Sequence, residues 1–312
     1  MPARKNFDAE LADLEALREV SRESARPQLA KALDHRNNFL VAKAAAVALH
    51  HRLTELTPEL TTAFARFLDS PAKADPQCWA KKELAKTLAA FEYQEPELFL
   101  RGMRHVQLEP VWGGSADSAG PLRSICALAL VQCREVNNHR VLLHLIPLLA
   151  DKELPVQVNA ARAIEQVGSD ASALLLRLRA ELGSENPELL SACYSGVLAI
   201  EGPSAIAWAA QFLPAANDAA GEAAMAIAQT HTPEAFQVLR NTFTRTSDSW
   251  FRPVLLSAIA LTRQSEATEW LLELITQDED GAADAHEAVC RSAPSEATLE
   301  RLERLGKPCR GN

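Results

Sequence analysis

The chain has 312 residues and a mass of 34.0 kDa, more than one ordinary compact core holds, so it is either two domains or a fold that grows by repetition. Hydrophobic residues make up 47% of it, yet there are only 12 glycines and 2 tyrosines, a composition that supports helices and gives strands little help. A net charge of −9 with a pI near 5.5 is a poor match to a phosphate backbone and makes nucleic acid an unlikely general partner.

The charge is unevenly placed. Residues 1 to 150 carry 19 basic against 18 acidic groups, and residues 151 to 312 carry 13 against 23. The two halves are therefore expected to meet partners differently. The six cysteines, at 78, 126, 133, 193, 290 and 309, form no C-x-x-C pair. Cys126 and Cys133 fall two turns apart on one helix, about 10 Å by helical rise and too far for a disulfide. Buried free thiols in a reducing compartment are the expectation. The N-terminal stretch lacks the apolar core of a signal peptide, and its acids argue against a mitochondrial presequence. No apolar run approaches the ~20 residues of a membrane span, so a cytoplasmic location with no membrane contact is expected.

In chain order, residues 8 to 25 read as an amphipathic N-terminal capping helix within a segment 1 to 26. A repetitive region then runs from 27 to 306, and residues 307 to 312 read as a disordered tail. Within the region, first helices begin near 27, 58, 96, 138, 171, 203, 233, 265 and 295. Second helices fall at 38 to 52, 77 to 92, 119 to 134, 155 to 167, 188 to 200, 217 to 229, 249 to 262 and 281 to 291. Several starts share one signature. Thr57-Pro58-Glu59, Asn186-Pro187-Glu188 and Thr232-Pro233-Glu234 each set a capping oxygen before a proline at the first helical position and an acid that suits the helix dipole. Ser-Glu-Ala-Thr at 265 to 268 returns at 295 to 298. The clearest hairpin joins His139–Ala150 to Leu154–Gly168. In its second half Val156, Ala160, Ile164 and Val167 recur at three- and four-residue steps. One stretch breaks the pattern. Between Val106 and Ala119 the residues Pro110, Gly113 and Gly114 forbid a regular helix and leave Trp112 on a long loop, either a functional contact or a plug on its own repeat.

The second helices resemble the HEAT repeat, in which an apolar residue and an Arg precede a run of small residues ending in Ala-Leu. Leu122-Arg123 leads into Cys126-Ala127-Leu128-Ala129-Leu130, and Val156-Gln157 into Ala160-Ala161-Arg162-Ala163-Ile164. Phe251-Arg252 similarly precedes Ala258-Ile259, and Val41-Ala42 precedes Ala44 to Leu49. The Arg slot is held by Ala42, Lys81, Arg123, Gln157, Ser191, Ala220, Arg252 and Ala282, so a continuous arginine ladder is missing. The resemblance implies an all-α chain: a right-handed α-solenoid of about eight HEAT-like helical hairpins with terminal capping helices, in a single elongated domain.

It also implies that second helices line a concave face. On that register Lys43, Lys82 and Lys86 make a basic end, Arg162 follows, and Gly196 and Met225 lie on a floor of small, uncharged side chains. Such a floor suits either an apolar partner helix or close approach of neighbouring repeats. Lys81, Lys82 and Lys86 form either a solvated face or an anchor for an acidic segment. With Trp112 and Arg123 added, these are the candidate partner contacts. A non-enzymatic protein-binding scaffold, with another protein or a peptide segment as partner and no cofactor, is the leading expectation. Some HEAT-like proteins are alkylated-base DNA glycosylases, for which Trp79, Trp112, Asp117, Lys81, Lys82 and Arg123 would be the aromatic, acidic and basic set. Others resemble phycobilin lyases. There is no Gly-x-Ser-x-Gly elbow, P-loop or dinucleotide fingerprint. The histidine groupings His50-His51, His139 with His144, and Asp284 with His286 and Glu287 show no helical metal spacing, so no metal is expected.

Overall fold

A computed structural model describes residues 7–277 and 281–309 of the chain. Its helices are α1 (Phe7–Ala16), α2 (Arg22–Leu33), α3 (Asn38–His50), α4 (Thr57–Asp69), α5 (Trp79–Ala90) and α6 (Glu97–Met103). After strands β1 (Leu108–Val111) and β2 (Gly114–Asp117) come α7 (Gly120–Val131), α8 (Asn138–Leu149) and α9 (Leu154–Val167). The chain continues through α10 (Asp170–Glu181), α11 (Pro187–Glu201), α12 (Ile206–Ala210), α13 (Asp218–Ala228) and α14 (Pro233–Arg245). It ends with α15 (Phe251–Leu261), α16 (Ser265–Gln277), α17 (Ala282–Arg291) and α18 (Glu296–Arg304). The protein is helical apart from one two-stranded sheet among the described residues. Two compact units are formed, one up to Val167 and the other from Gly168.

In the first unit α2 packs on α3, α4 on α5, α6 on α7 and α8 on α9. The later helix of each pair also packs on its counterpart, α3 on α5, α5 on α7 and α7 on α9. The second unit repeats this scheme, with α11 on α13, α13 on α15 and α15 on α17. These inner helices are covered on more than one side, which explains their composition. In α3 the residues Leu40, Val41, Ala42, Ala44, Ala45, Val47 and Ala48 are all buried, a helix apolar nearly all round. Gly102 on α6 marks a close approach: a Cβ there would overlap Sγ of the buried Cys126 and lie 3.5 Å from the Phe64 ring. Gly102→Ala is expected to destabilise by about 1–3 kcal/mol through overpacking, with partial recovery in Gly102→Ala/Cys126→Ala, read by urea unfolding.

Helix ends follow two rules. Asn37, Asn137, Asn186, Asn217, Thr232 and Ser295 cap their helices by accepting a backbone N–H. Thr57 does not: its hydroxyl donates to the Thr54 carbonyl instead. The inner helices other than α7 then stop at left-handed residues, Arg52, Glu92, Gly168, Gly202, His231, Arg263 and Ala293. Leu53 N–H and Tyr93 N–H reach back to Ala48 and Leu88 carbonyls at 3.0 and 3.1 Å, the pattern of a Schellman cap. Three pairs of the helices that precede each inner helix, or follow the last one, are joined by ion pairs at one separation. Arg66 meets Asp34 and Arg101 meets Asp69 in the first unit, and Arg301 meets Glu269 in the second, each 32 residues apart.

Several expectations are corrected. The helix expected over 8 to 25 breaks at Val20, which is extended, because Ser21 accepts from Ser24 N–H and starts α2 there. Pro27 therefore lies inside α2 rather than at its first turn. The stretch 106 to 119 contains a β-hairpin in place of an irregular loop. Cys290 and Cys309 are joined by a disulfide, while Cys78, Cys126, Cys133 and Cys193 are buried free thiols. The tail expected to be disordered is fastened as far as Cys309, and residues 310–312 lie outside the described residues. One segment, Pro187–Ala215, is long and apolar enough to cross a membrane by length and composition. More than half of its most apolar 18-residue stretch is buried in the protein, and Gly202, at φ 66°, interrupts the segment.

Candidate functional site

Between α4 and α5 the backbone turns through two successive left-handed residues, Gln77 and Cys78, so α5 starts without a side-chain cap of the usual kind. Asp75 takes that role from further back. Its Oδ1 accepts from Ala80 N–H at 2.9 Å and from Asn38 Nδ2 at 3.0 Å, and its Oδ2 accepts from Lys81 N–H at 3.1 Å. Lys81 Nζ lies 3.3 Å from the same Oδ2, and both side chains are 0% exposed. A buried ion pair survives only if its other lone pairs and protons are satisfied. Here Lys81 Nζ also donates to Gln107 Oε1 at 2.8 Å, and Gln107 Nε2 donates to the Asp75 carbonyl at 2.8 Å.

Gln107 carries the network to the root of the hairpin. Glu109 Oε1 accepts from Gln107 Nε2, Gln77 N–H and Ser118 Oγ, each at 2.6 Å. The Ser118 bond, with those from Gln107 and Gln77, holds the Glu109 carboxyl below the ordinary range. Asp117 Oδ1 accepts from Gln107 N–H at 2.9 Å and Ala119 N–H at 3.0 Å. Its Oδ2 accepts from Arg123 Nη1 at 2.5 Å. Desolvation opposes ionisation of Asp117, but these donors prevail and its pKa is lowered. Arg123 completes the structure by gripping Asp151 with Nε at 2.9 Å and Nη2 at 3.1 Å, and by donating to the His105 carbonyl at 3.1 Å. Burial pushes the Cys78 thiol up to about 11 and the His105 imidazole down.

An isolated two-stranded hairpin is marginal in water, so this one depends on its root. Val111 pairs with Gly114, leaving a two-residue turn of Trp112 and Gly113, the latter at φ 90° as a left-handed turn position requires. The tip is apolar and unprotected. Trp112 is 104% exposed, with Val106, Leu108 and Val111 also exposed. Trp112 is thus no plug. A second exposed aromatic row begins just after Gln77: the Trp79 ring lies 5.7 Å from Phe39, Phe39 lies 6.3 Å from Phe7, and Lys82 Nζ sits 5.2 Å above Trp79.

The expected contacts divide between surface and interior. Lys86 is exposed beside Glu83 at 3.4 Å, Lys43 is half-buried against Glu15 at 2.6 Å, Arg162 is exposed on α9, and Met225 is half-buried on α13. Lys81, Arg123 and Gly196 are buried and unavailable to a partner, a correction to their placement on a binding face. The first two are held inside by the carboxylates that neutralise them. The small floor of α13 is covered in part: a Cβ at Gly221 would lie 3.5 Å from both Trp250 and Val254, so this glycine lets α15 approach. Of the set Trp79, Trp112, Asp117, Lys81, Lys82 and Arg123, Asp117 and Arg123 are bonded to each other and Lys81 is bonded to Asp75 and Gln107, so these three are not presented to solvent. Asp75, Gln107 and Asp151 escaped the sequence reading. Lys81 could have been placed correctly, since Lys81, Leu84, Ala85 and Leu88 share one buried helical stripe.

Comparison with known proteins finds no family model that matches this sequence, and no curated protein with a significant match.

Proposed function

We propose that this chain is a non-enzymatic scaffold of the HEAT-repeat type, a right-handed α-solenoid that binds another protein. The recurrent pairing of inner helices, the left-handed stops and the 32-residue ion-pair step support the repeat reading. One observation carries the functional part: a tryptophan held fully in solvent at the tip of a hairpin whose root is a buried network of charged groups. Exposing that much apolar surface is unfavourable unless something covers it, and tryptophan is the side chain most enriched at interface centres. A rigid mount lowers the ordering cost when a partner pocket closes on the indole.

Trp112→Ala is expected to leave the melting temperature unchanged, because the side chain touches nothing in the free protein, and to weaken partner capture by about 2 kcal/mol or more, roughly 30-fold. Quantitative capture from an extract of the source cell, with wild type and variant in parallel, reads both outcomes. Equal capture by the two proteins would refute the hairpin as the anchor. The glycosylase reading is disfavoured by the same geometry, since its acid Asp117 is bonded to Arg123 and its Lys81 is buried against Asp75; a salt-dependent mobility shift with duplex DNA would reinstate it. Buried thiols at 78, 126, 133 and 193 suit a cytoplasmic location, and the disulfide at 290 and 309 pulls against it.

A further inference from the structure

The C-terminal end of the described chain brings together groups that the binding role does not use. His286 and Cys290 stand at i and i+4 on α17, hence on one helical face. The third member comes from the tail. Gly306 adopts φ 71°, Lys307 N–H closes α18 on the Leu302 carbonyl at 3.0 Å, and the chain turns back over α17. Two bonds fix it there independently of the cysteines: Lys307 Nζ donates to the Ile275 carbonyl at 3.0 Å, and His286 Nε2 donates to the Lys307 carbonyl at 2.8 Å. Cys309 is thereby set opposite Cys290 with Cα atoms 5.5 Å apart. The imidazole nitrogen and both sulfurs lie within 4.8 Å of one another, all on half-buried residues.

We propose that His286, Cys290 and Cys309 form a three-ligand zinc site when the disulfide is reduced. Tetrahedral zinc, with bonds of about 2.3 Å to sulfur and about 2.05 Å to nitrogen, requires a sulfur-to-nitrogen separation of about 3.6 Å and a sulfur-to-sulfur separation of about 3.8 Å. Cys290 Sγ already lies 3.6 Å from His286 Nε2. Two thiolates and one imidazole select zinc over the hard cations magnesium and calcium, and a water molecule completes the fourth position. The exchange balances. A dithiol reductant supplies two electrons and two protons, the Cys290–Cys309 bond breaks to two thiols, and the reductant closes its own disulfide. Zinc then displaces both thiol protons, and the ring proton of His286 passes from Nε2 to Nδ1 so that Nε2 can ligate. That nitrogen exchanges its bond to the Lys307 carbonyl for the metal, while the Lys307 Nζ bond to Ile275 keeps the tail in place.

The test uses the full chain, reduced with a water-soluble phosphine that is then removed without air, and titrated with zinc against a chromophoric chelator. Reduced wild type is expected to hold about one equivalent more than the oxidised protein. His286→Ala, which keeps both cysteines, and Cys309→Ser are each expected to bind at least about 10-fold more weakly. Equal uptake by reduced wild type and both variants would assign the zinc to other thiols and overturn the proposal, as would equal uptake by oxidised and reduced wild type. Cobalt substitution of reduced wild type gives a readout that needs no variant. A thiolate-to-cobalt charge-transfer band with tetrahedral d–d bands is expected, and their absence contradicts the site.

Discussion

Asp75→Ala is expected to destabilise the unit that ends at Val167 by about 3–5 kcal/mol, the cost of breaking a buried pair from one side. The carboxylate accepts from Asn38, Ala80 N–H, Lys81 N–H and Lys81 Nζ, so its removal orphans three donors and leaves an ammonium buried with only Gln107 Oε1. An unsatisfied buried polar group costs about 1–3 kcal/mol, and an unpaired charge more. Lys81→Met should cost clearly less, because Asp75 keeps its bonds to Asn38 and to two backbone N–H groups. Urea unfolding of the two variants orders them. Asp75→Ala within about 1 kcal/mol of wild type, the range of an exposed pair, would contradict the network as described.

Arg123→Ala is expected to cost about 3 kcal/mol and to release the hairpin, since one guanidinium joins Asp117 at the hairpin base to Asp151 beyond α8. Arg123→Lys should not rescue it, because an ammonium cannot grip Asp151 bidentately while reaching Asp117. The hairpin amides report this directly by faster hydrogen exchange. A pH dependence accompanies it. Asp117 and Glu109 have folded pKa values below the ordinary carboxylate range. A group depressed in this way adds stability that is fully present above its unfolded pKa, about 4, and is lost as pH falls through the folded value. Hairpin protection in wild type should therefore be constant down to about pH 4 and fall below it. In Arg123→Ala the acid-induced loss should be smaller, because without the cation that favours ionised Asp117 its folded pKa moves back towards the unfolded value.

The inner helices were legible because they need no long-range information. An alanine-rich stretch apolar on several faces, preceded by Asn37, Asn186 or Asn217, specifies both the element and its start. Signals of mixed meaning failed. Pro27 resembles a first-turn proline but follows the stronger cap at Ser21. Arg52, Glu92 and Ala293 occupy left-handed stops that only glycine would have announced. The hairpin was missed because its register is set by Glu109 and Asp117, whose partners Gln77 and Arg123 lie outside it. Nothing in the spacing of Asp75 and Gln107, 32 residues apart, foretells that they share a buried lysine. His286 and Cys290 stand at i, i+4, a spacing passed over when His286 is grouped with Asp284 and Glu287, and Cys309 needs the fold to find it.

The most direct measurement places a photo-crosslinking amino acid at position 112 of the full chain in its source cell, with the exposed position Lys86 as the comparison. A hairpin that exists to hold a partner predicts one discrete adduct of defined mass from position 112, lost when Asp75→Ala or Arg123→Ala loosens the mount. No adduct at 112, or the same diffuse set of products as at 86, would contradict it.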